Sequence, residues 1–286
     1  MINKDESRII IVPWDFTRIS EYALEYAINA AHALEKEIFL LHIVNNKEAT
    51  DEQEKEAAKR LEKQADEILQ KYQIQVQPVV RRGSIFNVIS DYASEIKAAL
   101  VVMGTHGITG TQKITGSWAL KVIIGSKVPF LVVQEKPGTA VGFNKIVYPV
   151  DFKGENKEQL QWAIYFGKYF NSKIYLFKRP FRDSSLLKKT NTNLNFAIRF
   201  LRQNNLEYEI IEASGKISFD RETIQFAVDI KADLIIIITS RHFTFLDYLF
   251  GNREQRMLSN PSNIPVLCVN PHATSAGVGQ FMWGST

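Results

Sequence analysis

The sequence predicts two tandem doubly wound α/β domains, each built on a five-stranded parallel sheet. Three observations carry this expectation. First, the chain repeats itself. Ile11-Val12-Pro13-Trp14-Asp15-Phe16 aligns with Val147-Tyr148-Pro149-Val150-Asp151-Phe152, residues 38–41 align with 174–177, and 128–131 with 264–267, each pair 136 residues apart. One offset kept over three separate segments means duplication of a whole domain rather than a solenoid of short repeats. Second, short Val/Ile/Leu runs alternate with longer stretches of helical period. Third, those runs are continuously apolar instead of alternating with polar residues, the pattern of strands buried on both faces of a helix-covered parallel sheet.

In the first copy, residues 9–13 read as the opening strand. The stretch 21–28 that follows carries Ala23 and Ala27, continued by Ala30 and Ala31, at helical spacing. Residues 38–44 are a second strand, and 51–72 place Ala57, Ala58, Leu61, Ala65, Ile68 and Leu69 on one helical face. A strand at 76–80, a helix at 85–96, a strand at 99–103, a helix at 118–124 and a strand at 130–133 complete the unit. The second copy repeats the scheme through strands at 174–177, 208–211, 234–238 and 266–269. Glu135-Lys136-Pro137-Gly138-Thr139-Ala140 is a Pro/Gly turn cluster between apolar runs, which divides the chain into domains 1–138 and 139–271. Residues 272–286, rich in Gly, Ser and Ala, read as a disordered tail, and the apolar Phe281-Met282-Trp283 within it as a segment able to dock on a neighbouring surface.

With 286 residues, each copy can bury its own core. A chain that is 45% hydrophobic and 23% charged is an ordinary globular protein. The net charge of +4 comes from 35 basic and 31 acidic residues scattered without a Lys/Arg stripe, which speaks against nucleic-acid binding. The single cysteine, Cys268, lies in an apolar run, so it reads as a buried structural thiol in a reducing compartment. Met1 to Glu6 lack a signal-peptide layout, and apolar runs such as 234–238 fall far below the ~20 residues of a membrane span. The expectation is a soluble cytoplasmic protein.

Ligands of doubly wound sheets bind beyond the carboxyl ends of the strands, where strand order reverses. Two informative segments fall there: Asp15 at the end of the first strand, and Met103-Gly104-Thr105-His106-Gly107 at the end of the fourth, with Gly116-Ser117-Trp118 opening the next helix. Glycine allows close backbone approach to an anion, and amides at a helix N-terminus point at it, so this order reads as a phosphate cradle. Gly-x-x-Gly alone also fits a tight turn after a strand. Asp15 can accept hydrogen bonds from a ribose or base, or can cap the helix beginning near Ser20; Asp151 persists in the copy that lacks the glycines. His106, between the two glycines, reads either as orienting the loop or as facing solvent. Replacing Gly104 by Val is expected to abolish nucleotide binding with the fold intact. Neither a carboxylate pair nor a Cys/His or Ser/His/Asp set stands out, and metal-ligand spacing is absent. Gly167-Lys168 and Gly215-Lys216 are followed by Tyr and Ile, which excludes a P-loop. The site reads as non-enzymatic, with any hydrolysis slow.

The residues Val101-Val102-Met103-Gly104-Thr105-His106-Gly107, Gly116-Ser117, Lys121-Val122-Ile123 and 128–133, with Ile11-Val12-Pro13-Trp14-Asp15, closely resemble the signature of universal stress proteins. The resemblance extends over both copies and implies a tandem form of that Rossmann-like fold, of the adenine nucleotide alpha hydrolase-like kind. In the nucleotide-binding branch it implies phosphate and ribose contacts from the loop holding Met103, Gly104, Thr105, His106, Gly107, Gly116, Ser117 and Trp118, and adenine contacts from Pro13, Asp15 and Ile43. The implied ligand is ATP, accompanied or not by magnesium, in the first copy only. One departure is that residues 108–115 number eight where the binding branch has nine. In the second copy, Ile238-Thr239-Ser240-Arg241-His242 has no paired glycines and only Gly251 survives, followed by Asn252. The second copy therefore reads as a scaffold or pairing domain. The family's pairing through its last strand implies that 130–133 meet 266–269 across a pseudo-twofold axis, with homodimerisation and an unidentified protein partner as further expectations. A stress-response module governed by ATP is the function so implied; the alternative is a module acting through protein–protein contact without nucleotide.

Overall fold

The computed structural model describes residues 8–44, 50–105, 116–123, 126–138, 142–152, 157–239 and 253–270. In the first copy the elements are β1 (Ile9–Pro13), α1 (Arg18–Leu34), β2 (Glu37–Val44), α2 (Asp51–Tyr72), β3 (Val76–Arg82), α3 (Ile85–Glu95), β4 (Leu100–Gly104), α4 (Gly116–Ile123) and β5 (Phe130–Val133). The second copy contains β6 (Lys145–Val150), α5 (Lys157–Phe170), β7 (Lys173–Lys178), α6 (Ser184–Gln203), β8 (Tyr208–Glu212), α7 (Phe219–Asp229), β9 (Leu234–Ile238), α8 (Arg253–Leu258) and β10 (Val266–Val269).

Local chemistry sets the ends of these elements. The Thr50 hydroxyl accepts from the Gln53 N–H while the Gln53 side chain accepts from the Thr50 N–H, a capping box that opens α2. Its far end turns through Gln73 in the left-handed region, and α1 ends in the same way at Glu35. Strand β3 runs to Arg82, beyond the expected residue 80, because the Arg82 guanidinium binds Asp51 at 2.5 Å and Glu54 at 2.6 Å on the first turn of α2. That contact joins segments distant in sequence and leaves no trace in local periodicity.

Each copy forms five parallel strands, as expected, and the two sheets merge into one of ten in the order β3-β2-β1-β4-β5-β10-β9-β6-β7-β8. The seam is antiparallel, with Val132 opposite Val266, Leu131 opposite Leu267 and Phe130 opposite Cys268. Both seam strands are buried at every position. An apolar four-residue edge left open would expose unpaired backbone and both faces, and pairing the two edges removes that liability. Cys268 is buried there, outside any disulfide.

Helices cover both faces. On one, α1, α2, α5 and α6 pack over Ile10, Val12, Leu40, Ile146 and Leu176; on the other, α3, α4, α7 and α8 pack over Ile11, Leu41, Val101, Met103 and Ile235. Phe143, in the connection between the copies, is buried against Tyr26 of α1 and against Phe166 and Phe170 of α5, the last two at ring distances of 5.1 Å. The two copies thus share one continuous core.

Candidate functional site

Strand β1 pairs in parallel with both β2 and β4, so strand order reverses around it and the carboxyl ends of all three strands meet at a switch point. A cleft of about 570 Å³, open to solvent, lies there. Of the residues expected from the sequence, Pro13, Asp15, Ile43, Met103 and Gly104 line it. Thr105 is buried just beyond Gly104. Gly116, Ser117 and Trp118 form the first turn of α4. His106 and Gly107 lie outside the described residues, as do residues 108–115 and the tail 272–286.

Other lining residues carried no signal of their own. Trp14, Thr17 and Ser20 flank Asp15, and Leu41 and His42 flank Ile43, so proximity along the chain could have suggested them. Ile85 and Ile89, one turn apart on α3, and Ile19 on α1 reach the cleft only through tertiary packing.

Asp15 serves the turn from β1 into α1. Its Oδ1 accepts from the Thr17 N–H at 3.0 Å, from the Thr17 hydroxyl at 2.5 Å and from the Ser20 hydroxyl, while the Asp15 N–H donates to Ser20 Oγ at 3.2 Å. The helix starts at Arg18 with Thr17 as its cap residue, so Asp15 orders the turn before the helix from one carboxylate oxygen. Asp15 is exposed, and no donor among the described residues reaches Oδ2. Of the two readings left open by the sequence, the local one is met by Oδ1, which orders the turn into α1.

Phe16, next in sequence, adopts φ 60°. A non-glycine side chain pays for that left-handed conformation, about 1–2 kcal/mol. The ring packs 5.0 Å from His42 and 6.5 Å from Trp14, with the Arg60 guanidinium of α2 3.8 Å from its centre. His42 in turn holds the Trp14 carbonyl at 2.7 Å through Nδ1, and the Trp14 N–H donates to Leu41 at 2.8 Å. A carbonyl only accepts, so Nδ1 carries a proton. The strand ends that form the cleft are locked to one another.

Gly104 corrects an expectation. A Cβ on Gly104 would lie 2.3 Å from the Ile19 side chain and 2.6 Å from the Ile19 carbonyl oxygen, so the glycine admits the first turn of α1 against β4. A valine there cannot leave the fold intact, because the obstacle is helix backbone as well as a side chain.

The equivalent place in the second copy is built differently. Phe177 stands where the first copy has Leu41, and its ring stacks on Phe219, the first residue of α7, at 5.6 Å, and on Phe226 at 4.7 Å. Arg179, at the position of Ile43, lies over the rings of Phe181 at 4.9 Å and Phe219 at 5.7 Å. Asp151 is buried, and its carbonyl accepts from the Asn193 side chain at 2.8 Å. Aromatic rings thus stack beside the end of β7.

Among the described residues, no cluster of three or more His, Cys, Asp or Glu side chains is placed to hold a metal, and no helix is long and apolar enough to cross a membrane.

Comparison with known proteins agrees with this architecture. Residues 6–134 match the model of the universal stress protein family. A universal stress protein of Methanocaldococcus jannaschii is 30% identical over 142 residues, spanning 44% of this chain and 81% of the relative. Over the whole length, the fold is similar to that of a universal stress protein from Archaeoglobus fulgidus, with a TM-score of 0.73 at 16% identity, covering 93% of this chain and 99% of the other. A protein of unknown function from Pseudomonas aeruginosa superposes with a TM-score of 0.63, also at 16% identity, over 96% and 97% of the two chains.

Proposed function

The chain belongs to the universal stress protein family, and from that membership we propose that its first copy binds an adenine nucleotide, ATP, in the cleft at the ends of β1, β2 and β4, as a non-enzymatic regulatory or protective module. The observation that carries this reading is the cleft itself. It stands at the switch point, it is lined by Pro13, Asp15, Ile43, Met103 and Gly104, and α4 begins at Gly116-Ser117 beyond the same strand end. Apolar walls from Leu41, Ile43, Ile85 and Ile89 suit a base, and Asp15 Oδ2 is an acceptor for hydroxyl or amino groups. The amides at the head of α4 suit phosphate, with magnesium brought by the nucleotide rather than by a protein cluster. The second copy serves as the pairing partner, its corresponding space taken by Phe177, Phe219 and Arg179. Slow hydrolysis would need no dedicated base and is not required by this reading. The module works in the cytoplasm, and homodimerisation or a protein partner would provide its output.

A second reading, interaction without nucleotide, draws support from Gly104 and Asp15, since packing of Ile19 accounts for the glycine and the turn to α1 employs Asp15 Oδ1. Thermal unfolding with Mg-ATP, AMP and GTP separates the two. A single site is expected to add ~4 kcal/mol of stability at a thousandfold excess over its dissociation constant, selectively for the adenine nucleotide. Absence of any shift would establish the interaction reading instead.

A further inference from the structure

Two buried polar atoms near the seam have no hydrogen-bond partner among the described residues: the Thr105 hydroxyl and Gln134 Oε1. Strand register makes these residues neighbours. Gly104 pairs with Val133, and the Thr105 N–H donates to the Val133 carbonyl at 2.8 Å, so the next residue on each strand lies side by side with the other. Alternation puts both on the Met103 side of the sheet, where Ile85 and Ile89 of the cleft also lie.

The second copy repeats this arrangement with one change. Ile238 pairs with Val269, and the Thr239 N–H donates to the Val269 carbonyl at 3.0 Å. There the Thr239 hydroxyl donates to Oδ1 of Asn270, whose amide donates to the carbonyls of Ile123 and Ser126 at 2.7 and 2.6 Å. Gln134 occupies the position of Asn270 with one methylene more. Its amide reaches the Asn260 carbonyl at 3.3 Å, and its own carbonyl does not meet the threonine. A desolvated hydroxyl without a partner costs about 1–3 kcal/mol, which the second copy avoids and the first bears. Such an atom, one residue past Gly104 of the cleft lining, calls for a physical reason.

We propose that Gln134 is a positioning residue for the nucleotide site: by not capturing Thr105 it keeps that hydroxyl available to a polar oxygen of the ligand, whereas Asn270 captures Thr239 and closes the second copy to the same use. This rests on the nucleotide reading above, and it identifies a difference between the copies that lies outside the glycines.

The full chain, Gln134→Asn, Thr105→Val and the double variant are compared by unfolding midpoint without nucleotide and by calorimetric titration with Mg-ATP. Gln134→Asn is expected to raise the midpoint, because two unpartnered groups now pair, and to weaken ATP binding about tenfold. Thr105→Val is expected to weaken binding similarly without lowering the midpoint, and the double variant to bind no more weakly than Thr105→Val alone. A merely structural role would move stability and affinity together. Wild-type binding with unchanged affinity in either single variant overturns this proposal alone, as does a lowered midpoint in Gln134→Asn. If the wild-type chain takes up no ATP, the nucleotide reading falls and this proposal with it.

Discussion

At the scale of single residues, the switch point of the first copy is held together by groups that do two things at once. Asp15 orders the entry to α1 with one oxygen, while no donor among the described residues reaches the other, and Gly104 makes room for Ile19 at the end of β4. Gly104→Ala should therefore destabilise the protein by about 1–3 kcal/mol, the usual cost of forcing atoms into a packed site, and weaken ATP binding in the same variant; urea denaturation and titration check the two effects. Asp15→Asn, which keeps the shape of the turn and removes the charge, should cost little stability and still weaken ATP binding, measured in the same way. These two residues were legible in the sequence because their chemistry is tied to their position: a glycine at a strand end, a carboxylate before a helix. Ile19, Ile85 and Ile89 were not, since an isoleucine on a helix announces only that it is buried, and which cavity it walls depends on packing between elements far apart in the chain. The role of Gly104 was half legible. Its need for a missing side chain could be read, and the neighbour that imposes that need could not.

Among the secondary-structure elements, α7 and α8 illustrate how the second copy is fastened together. The Arg256 guanidinium of α8 donates to Asp220 of α7 at 2.6 Å, with Asp220 buried. Burial alone pushes the Asp220 carboxyl up, but the hydrogen bonds from Arg256 and Ser218 outweigh it and hold the carboxyl below its ordinary value. A carboxyl lowered on folding stabilises the protein above its unfolded-state pKa, and that contribution is lost as pH falls through the folded-state value. Asp220→Asn should thus cost about 1–2 kcal/mol at neutral pH, at the lower end because the guanidinium is half exposed, and the difference from wild type should shrink on acidification. Chemical denaturation from pH 7 to pH 3 tests it. Most elements were readable because apolar period and cap chemistry agree, α2 with its Thr50 capping box above all. Where boundaries shifted, as in the extension of β3 to Arg82, the cause was a long-range ion pair that no local pattern encodes.

For the molecule as a whole, duplication explains the strongest feature of the fold. Two edge strands that would be exposed in separate domains pair with each other, and the register Leu131 opposite Leu267 lies fully buried at the centre of a ten-stranded sheet. Leu131→Ala should cost about 2–5 kcal/mol, and because the core is shared, fluorescence and circular dichroism should report one coincident transition for both copies. The resemblance to universal stress proteins made the pairing of the last strands legible, and the continuous sheet follows from it.

The antiparallel seam has a further consequence. Strands of the first copy end at one rim of the sheet and strands of the second at the opposite rim. The molecule is accordingly a plate with a head and a tail. Gene duplication began with two ends alike, and substitution has since made them chemically distinct: an open cleft at one, phenylalanine rings at the other. Any larger assembly that grips both rims acquires a direction, as a row of arrows does and a row of symmetric beads cannot.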